Sequence, residues 1–192
     1  MLFRSDSMDD LPDRPLLLLG NEFLDALPIR QFVSDGRGWL ERYVGPDGFV
    51  DVPVRPVAVS GLPGCAEAGV QEICEPARAI VAGLAARFGR HPGAALFLDY
   101  GPEHSGLGDS LQAIGNGQPA DTLAPAGTVD LTAHVDFAAL AAVARFAGAS
   151  VHGPVPQGPF LARLGLFQRT NRLARQLPPA QAAAISRRPM RQ

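Results

Sequence analysis

Residues 16–28 read LLLLGNEFLDALP and set the plan of the chain. The unbroken leucine run at 16–19 predicts a β-strand buried on both faces. A glycine ends the run, and the polar side chains of Asn21, Glu22 and Asp25 follow. Ligands of open α/β sheets bind just beyond the carboxyl ends of such strands. These three side chains are therefore the first site candidates, and capping of a short following helix by Asn21 or Asp25 is the structural alternative.

The composition indicates a single globular domain. The chain has 192 residues, of which 46% are hydrophobic, enough for a real core. A net charge of −2 gives no strong field for nucleic acid or for an anionic membrane. Cys65 and Cys74 form no CxxC motif, and no stretch has the length of a membrane span or the pattern of a signal peptide. These features predict a protein of the reduced cytoplasm.

The first third of the chain changes character twice. Acidic residues and a proline predict a loose lead-in at 1–14. Alternating apolar and polar residues between turns predict an antiparallel β meander at 29–55, and the Asp47-Gly48 pair is a strong hairpin signal. The Pro-, Gly- and Ala-rich residues 56–69 are typical of a loop.

The middle of the chain alternates helix and strand patterns. Apolar residues at helical spacing predict a helix over 73–88, and the apolar run that follows predicts a second buried strand over 93–101. Residues 115–129 read as a loop, and Asp136 is placed to cap the next helix. This order favours an α/β fold with parallel strands.

The last part of the chain carries weaker signals. It predicts a short strand at 151–155 and two helices at 159–164 and 168–177. Residues 178–192 lack a core-forming pattern and predict a weakly structured tail.

Further site candidates lie at later turns. Asp99 and Tyr100 repeat the polar strand end, Asp109 follows a Gly-rich loop, and His134 stands at a helix start. Each has an ordinary structural alternative as a turn or capping residue. The Gly-rich loop lacks the third glycine of a dinucleotide fingerprint, and no Gly-x-Ser-x-Gly elbow is present. No second histidine stands at metal-ligand spacing, so no metal site is predicted.

Several segments together resemble the MidA family of S-adenosylmethionine-dependent methyltransferases, whose eukaryotic members include the arginine methyltransferase of mitochondrial complex I assembly. The resemblance covers nearly all of residues 15–177. The segments that carry it are NEFLDALPIRQF at 21–32, WLER at 39–42, EIC at 72–74, LDYG at 98–101, GDSLQA at 108–113, DLTAHVDF at 130–137 and QGPFLARLG at 157–165.

The resemblance implies a partial class I methyltransferase fold with a Rossmann-like sheet, in which the meander at 29–55 is an insertion. The implied cofactor is S-adenosylmethionine, and the implied acceptor is a protein arginine, with a respiratory complex I subunit as one such partner. The implied catalytic residues are Glu22, Asn21 and Asp25, with Asn21 also touching the cofactor. The implied substrate-binding residues are Asp99, Tyr100, Asp109 and His134.

The resemblance is to the C-terminal portion of the family pattern. Family members carry a glycine-rich cofactor loop ahead of the NEFLDALP segment, and the fifteen residues before Leu16 contain none. These 192 residues alone are therefore expected to be inactive and not to bind S-adenosylmethionine tightly. The alternative function is a non-catalytic protein-binding module that uses the meander and the arginine-rich end. The sequence lacks the motifs of an α/β hydrolase and of a dehydrogenase.

Overall fold

The computed structural model of the protein describes residues 10–54, 62 and 67–176. The contacts divide the chain into two units, Met1–Val151 and His152–Gln192. In chain order, the described strands and helices are β1 (Leu16–Asn21), β2 (Arg30–Asp35), β3 (Trp39–Gly45), β4 (Gly48–Pro53), β5 (Ala68–Ile73), α1 (Glu75–Phe88), β6 (Gly93–Leu98), β7 (Gln112–Gly115), β8 (Gln118–Ala120), β9 (Asp130–Thr132), α2 (Phe137–Phe146), α3 (Gln157–Arg163) and α4 (Leu166–Ala174).

The leucine run forms β1, which pairs in parallel with β6 in the register Leu18↔Ala95. The predicted parallel α/β arrangement is therefore confirmed. The prediction that β1 is buried on both faces is wrong, because Leu17 and Leu19 are 87% and 69% exposed. Only the alternate residues are partly covered, since successive side chains of a strand point to opposite faces.

The meander is present as β2, β3 and β4, joined by tight turns. Pro46 and Asp47 form the two-residue turn between β3 and β4, and Gly48 follows it with a φ of +129°. The sheet has a fourth strand, β5, which pairs antiparallel with β2 in the order β4-β3-β2-β5. The predicted loop at 56–69 is therefore wrong for residues 68–69, which belong to β5.

A third sheet includes Gly115 and residues 118–120 of the region predicted as the loop 115–129, whereas residues 121–129 have no helix or strand, as predicted. Its order is β8-β7-β9, and both pairings are antiparallel. Asn116 and Gly117, with φ of +51° and +73°, make the turn of its hairpin. Positive φ at both central residues is what a two-residue hairpin turn with right-handed strand twist requires.

Two helices close the core of the first unit. α1 carries Pro76 in its first turn, where the missing N–H costs little. α2 begins after Asp136, whose Oδ1 accepts a hydrogen bond from the amide of Ala139 at 2.9 Å, as predicted. Helices α1 and α2 pack on each other, and the core residues of this region are Leu24, Ala77, Val81, Val135 and Leu140.

The second unit contains α3 and α4, which are separated by Gly165 in the left-handed conformation. The two predicted helices are present with shifted bounds. The predicted strand at 151–155 is wrong, because these residues take no regular structure. Residues 1–9 of the predicted lead-in and the tail at 178–192 lie outside the described residues. None of the helices in the described part of the chain has the length and apolarity needed to cross a membrane.

Candidate functional site

The carboxyl end of β1 presents two free polar side chains. Asn21 and Glu22 are exposed, and their side chains make no hydrogen bond within the described ranges. The amide of Glu22 donates to the carbonyl of Leu98 on β6 at 2.9 Å, so its backbone is fixed to the sheet. Glu22 has a φ of +45°, a left-handed conformation that costs a residue with a side chain about 1–2 kcal/mol. The chain therefore holds a strained residue with a free carboxylate at this sheet edge.

The carboxylate of Asp99 fixes the turn that follows Glu22. Its Oδ2 accepts hydrogen bonds from the amides of Phe23, Leu24 and Asp25 at 3.1, 2.9 and 3.3 Å. Its Oδ1 accepts from the amide of Tyr100 at 3.1 Å. These residues form a turn and not a helix, so the alternative in which Asn21 or Asp25 caps a helix is wrong. Asp99 thus positions the backbone of the segment, and its predicted contact with substrate stays a prediction.

Asp25 belongs to this turn and is 6% exposed. Its carbonyl accepts a hydrogen bond from the amide of Ala133 at 3.0 Å, which joins the turn to the segment ahead of α2. Its Oδ1 is buried and has no partner among the described residues. An unpaired buried acceptor costs about 1–3 kcal/mol, so a donor from a ligand or a water would be favoured there.

Tyr100 and His134 come together beside the end of β6. Their rings meet edge to face with centroids 5.7 Å apart and an angle of 87° between their planes. The amide of Val135 donates to the carbonyl of Tyr100 at 3.0 Å, which holds the two segments side by side. The phenol of Tyr100 accepts from Gln112 Nε2 at 3.4 Å. Both aromatic residues are exposed, so the pair offers an aromatic surface to a ligand.

Asp109 points to the meander. Its Oδ1 accepts from Gln31 Nε2 at 2.8 Å, and its Oδ2 lies 3.3 Å from Nη1 of Arg42. The prediction that Asp109 binds substrate remains untested. Its present contacts dock the segment ahead of β7 against the four-stranded sheet.

Glu72 is the residue that sequence reasoning missed. It lies on β5, where it accepts hydrogen bonds from Gln31, Ser110 and Leu111. Glu72 and His134 also line one small pocket between the end of β5, the start of α1 and the segment ahead of α2. The only sequence signal was its presence in a segment of the family resemblance, because its partners lie up to 41 residues away in the chain.

The meander contains a strong ion pair next to this region. Arg30 and Glu41 form a bidentate ion pair, in which Nε donates to Oε1 at 2.6 Å and Nη2 donates to Oε2 at 2.9 Å. The hydrogen bond from Arg30 holds the pKa of Glu41 below its ordinary value, although burial acts in the opposite direction. The same hydrogen bond raises the pKa of Arg30. The guanidinium carbon of Arg30 also lies over the ring of the buried Phe32, 4.9 Å from its centroid, so the guanidinium covers one face of this ring.

Cys74 is the one cysteine among the residues that the structure describes. Cys74 donates to the carbonyl of Pro28 at 3.6 Å, and burial raises the pKa of its thiol. A thiol with a raised pKa is a poor nucleophile. The other cysteine, Cys65, lies outside the described residues.

The site offers hydrogen-bonding groups and aromatic surface. The free carboxylate of Glu22 suits a cationic planar group, which it can bind through two hydrogen bonds. The amide of Asn21 and the unpaired Oδ1 of Asp25 are an exposed donor and a buried acceptor of the kind that a small zwitterion or a ribose needs. Polar groups at the carboxyl edge of an α/β sheet are typical of ligand-binding proteins with a Rossmann-like fold.

Comparison with known proteins identifies the family. A family model described as "Putative S-adenosyl-L-methionine-dependent methyltransferase" matches residues 3–155. The chain belongs to this family. S-adenosyl-L-methionine is the cofactor of the family, and the predicted MidA-type resemblance and α/β methyltransferase fold are confirmed.

Curated relatives and solved structures agree with this assignment. The chain is 37% identical over 177 residues to the mitochondrial protein arginine methyltransferase NDUFAF7 homolog of Caenorhabditis elegans, covering 87% of this chain and 41% of that protein. It is 38% identical over 172 residues to the mitochondrial NDUFAF7 of Mus musculus, covering 84% of this chain and 38% of that protein. The chain therefore spans about two fifths of the length of these relatives.

Two crystal structures from Burkholderia thailandensis share the fold with a TM-score of 0.71 each. They are 28% and 29% identical in sequence, and each covers 94% of this chain. The matched region is 52% of one of those chains and 51% of the other. The second is a candidate methyl transferase bound to S-adenosyl-homocysteine, the product that remains when the methyl group has left the cofactor.

The predicted cytoplasmic location is wrong. The curated relatives from worm, mouse and human are all named as mitochondrial proteins. The prediction rested on charge, cysteine usage and the lack of a signal pattern, none of which distinguishes a cytoplasmic protein from a mitochondrial one.

Proposed function

We propose that this chain forms the methyl-acceptor side of an S-adenosylmethionine-dependent protein arginine methyltransferase. The observation that carries the proposal is Glu22, an exposed carboxylate in a strained backbone conformation at the carboxyl end of β1. Strained residues persist only where the surrounding structure holds them, and they cluster at functional sites. Here the surrounding structure is the hydrogen bond to Leu98 and the amide clamp of Asp99.

Glu22 is proposed to bind the acceptor guanidinium. A carboxylate matches the planar fork of arginine with two parallel hydrogen bonds, which fixes the orientation of the nitrogen that accepts the methyl group. The exposed rings of Tyr100 and His134 are proposed to line the entrance for the arginine side chain, since guanidinium groups stack on aromatic faces. The complex I subunit implied by the resemblance stays a prediction.

Asn21 and Asp25 are proposed to face the cofactor side of the same edge. The cofactor supplies an electrophilic methyl group on a sulfonium. Among the residues that the structure describes, the side-chain amide of Asn21 has no partner and can hold a polar group of the cofactor, and the buried Oδ1 of Asp25 receives no hydrogen bond. Their part is to bind and to orient. After transfer, Glu22 holds the surplus guanidinium proton at its carboxylate until water removes it.

The test is a Glu22→Gln substitution in the protein made from the complete reading frame. Methyl transfer from radiolabelled S-adenosylmethionine to arginine-containing protein is expected to fall at least about a hundredfold, with the melting temperature unchanged. Glu67→Gln is the matched control, because Glu67 is also an exposed glutamate, and it is expected to keep full activity. Equal activity of the two variants would remove Glu22 from the mechanism.

We also propose that these 192 residues alone bind S-adenosylmethionine weakly. The matched relatives are more than twice as long, and within the described residues β1 has a partner strand on one side only. Isothermal titration of the 192-residue chain with S-adenosylmethionine tests this proposal. Micromolar binding would contradict it. Absence of both binding and transfer in the product of the complete reading frame would favour the non-catalytic protein-binding module instead.

A further inference from the structure

The carboxylate of Glu72 accepts hydrogen bonds from two different parts of the first unit. Its Oε1 accepts from Gln31 Nε2 at 2.8 Å, from the amide of Ser110 at 3.1 Å and from the amide of Leu111 at 3.2 Å. Its Oε2 accepts from the hydroxyl of Ser110. Gln31 comes from the four-stranded sheet, whereas Ser110 and Leu111 precede β7. One carboxylate therefore ties the sheet to the segment that leads into β7.

Ser110 connects Glu72 to His134 through a second hydrogen bond. The Oγ of Ser110 accepts a hydrogen bond from the amide of His134 at 2.8 Å. Because the amide can only donate, the single hydroxyl proton of Ser110 is left for Glu72. The direction of every hydrogen bond in the series His134, Ser110, Glu72 is thus fixed, and each depends on the carboxylate as the final acceptor.

His134 connects the series to the candidate site. Its ring meets Tyr100, and the next residue, Val135, donates its amide to the Tyr100 carbonyl. Tyr100 follows the end of β6, whose Leu98 carbonyl holds the amide of Glu22. The position of the His134 backbone therefore decides where the aromatic pair stands relative to Glu22.

We infer that Glu72 is a positioning residue for the acceptor side of the site. Acting through Ser110, it holds His134 against Tyr100 and so shapes the aromatic surface over which the arginine side chain enters. Glu72 itself touches neither the acceptor nor the cofactor. The inference rests on the proposed function for what enters, but the series of contacts is testable without any catalytic activity.

The first measurement is nuclear magnetic resonance on the 192-residue chain. Ser110→Ala removes only the hydroxyl, and Glu72→Gln replaces one acceptor oxygen by a donor. Both variants are expected to raise the exchange rate of the His134 amide about tenfold and to weaken the cross-relaxation between the His134 and Tyr100 rings. Ser110→Thr retains the hydroxyl and is expected to restore both signals, while Glu67→Gln changes neither. Unchanged exchange and cross-relaxation in folded Ser110→Ala protein would overturn the inference.

The second measurement is steady-state methyl transfer by the product of the complete reading frame, with a peptide of alternating arginine and glycine as acceptor. Ser110→Ala is expected to raise the KM for the peptide about fivefold, the loss of roughly one hydrogen bond, with the KM for S-adenosylmethionine unchanged. Equal loss for both substrates would indicate a merely structural role and would also overturn the inference. A wild-type protein without transfer would refute the proposed function, and the resonance experiment would still decide the role of Glu72.

Discussion

Oδ2 of Asp99 accepts a hydrogen bond from the backbone amide of Leu24 at 2.9 Å, as the middle one of three successive amides. Leu24 is 3% exposed and belongs to the core, so the same turn is anchored by burial on one side and by the carboxylate on the other. The geometry of the candidate site therefore depends on a carboxylate whose described hydrogen bonds all come from backbone amides.

Asp99→Asn is expected to destabilise the protein, because an amide group would turn one of its two acceptor oxygens into a donor facing an N–H. Hydrogen bonds to a charged group contribute about 1.5–3 kcal/mol, and we expect a loss of free energy of unfolding in that range. Urea denaturation measures it. The matched control is Asp121→Asn, since Asp121 accepts a single amide, that of Leu123, in an exposed turn. Equal losses for both variants would contradict the clamp.

Glu22→Gly is expected to stabilise the protein while it abolishes methyl transfer. Glycine adopts a positive φ without steric cost, and the exposed Glu22 side chain has no described contact to lose. The free energy of unfolding should rise by about 0.5–1 kcal/mol in urea denaturation. Asn116→Gly, at a φ of +51°, is the comparison and should gain less, because asparagine tolerates this conformation. A destabilised Glu22→Gly protein would show that residue 22 is not strained.

Gly101→Ala is expected to disrupt the contact between Tyr100 and the segment ahead of α2. A Cβ at position 101 would lie 2.1 Å from the carbonyl oxygen of Val135, so one backbone segment would have to move. We expect a loss of more than about 3 kcal/mol by thermal or urea unfolding. Gly106→Ala is the control, because its Cβ would meet nothing within 4 Å. A loss in Gly106→Ala as large as that in Gly101→Ala would reject the close approach.

The Arg30–Glu41 pair predicts a pH dependence. The pKa of Glu41 is lowered in the folded protein, so its contribution to stability is complete above the ordinary glutamate pKa of about 4.3 and is lost as the pH falls through the lower folded value. Glu41→Gln should therefore reduce the free energy of unfolding at pH 7 by about 1–2 kcal/mol and flatten its fall below pH 5. The magnitude is moderate because the Arg30 side chain is 39% exposed.

The comparison variant for this pair is Asp51→Asn, which breaks the ion pair between Arg42 and Asp51, whose carboxylate is more exposed than that of Glu41, 31% against 11%. Its effect should stay below about 1 kcal/mol, as is usual for pairs in contact with water. Urea unfolding between pH 3 and pH 7 distinguishes the effect of Asp51→Asn from that of Glu41→Gln. An identical pH profile for wild type and Glu41→Gln would show that Arg30 does not hold the carboxylate.

Local pattern was sufficient for the parts of the fold that are held by local or repetitive interactions. The apolar runs predicted β1 and β6, alternation predicted the meander, and Asp136 marked the start of α2. The strand β5 was missed because the buried Gln71 and the half-buried Glu72 are polar, and hydrogen bonds formed only after folding compensate for their burial. The Asn116-Gly117 pair is itself a hairpin signal, and it forms the turn between β7 and β8.

The sequence predicted the exposed residues of the candidate site, but it did not predict the roles of the residues that hold them in place. Asn21 and Glu22 could be found because polar side chains directly follow the apolar run of β1. The roles of Asp99 and Glu72 could not be found from spacing, since each acts on partners many residues away. A carboxylate that binds backbone amides and one that binds a ligand look the same in a sequence.

The distance along the chain between Asp99 and its amides has a consequence for synthesis. Asp99 lies 74 to 76 residues after the three amides that it binds. Strand β1 likewise pairs with β6, which lies a similar number of residues further along the chain. A nascent chain that has not yet released residue 99 from the ribosome has the NEFLD segment without its clamp. Closing so long a loop is slow compared with forming the meander hairpins. The turn after Glu22 is therefore expected to form after the meander hairpins, and Glu22 is expected to become strained only when Asp99 binds these amides.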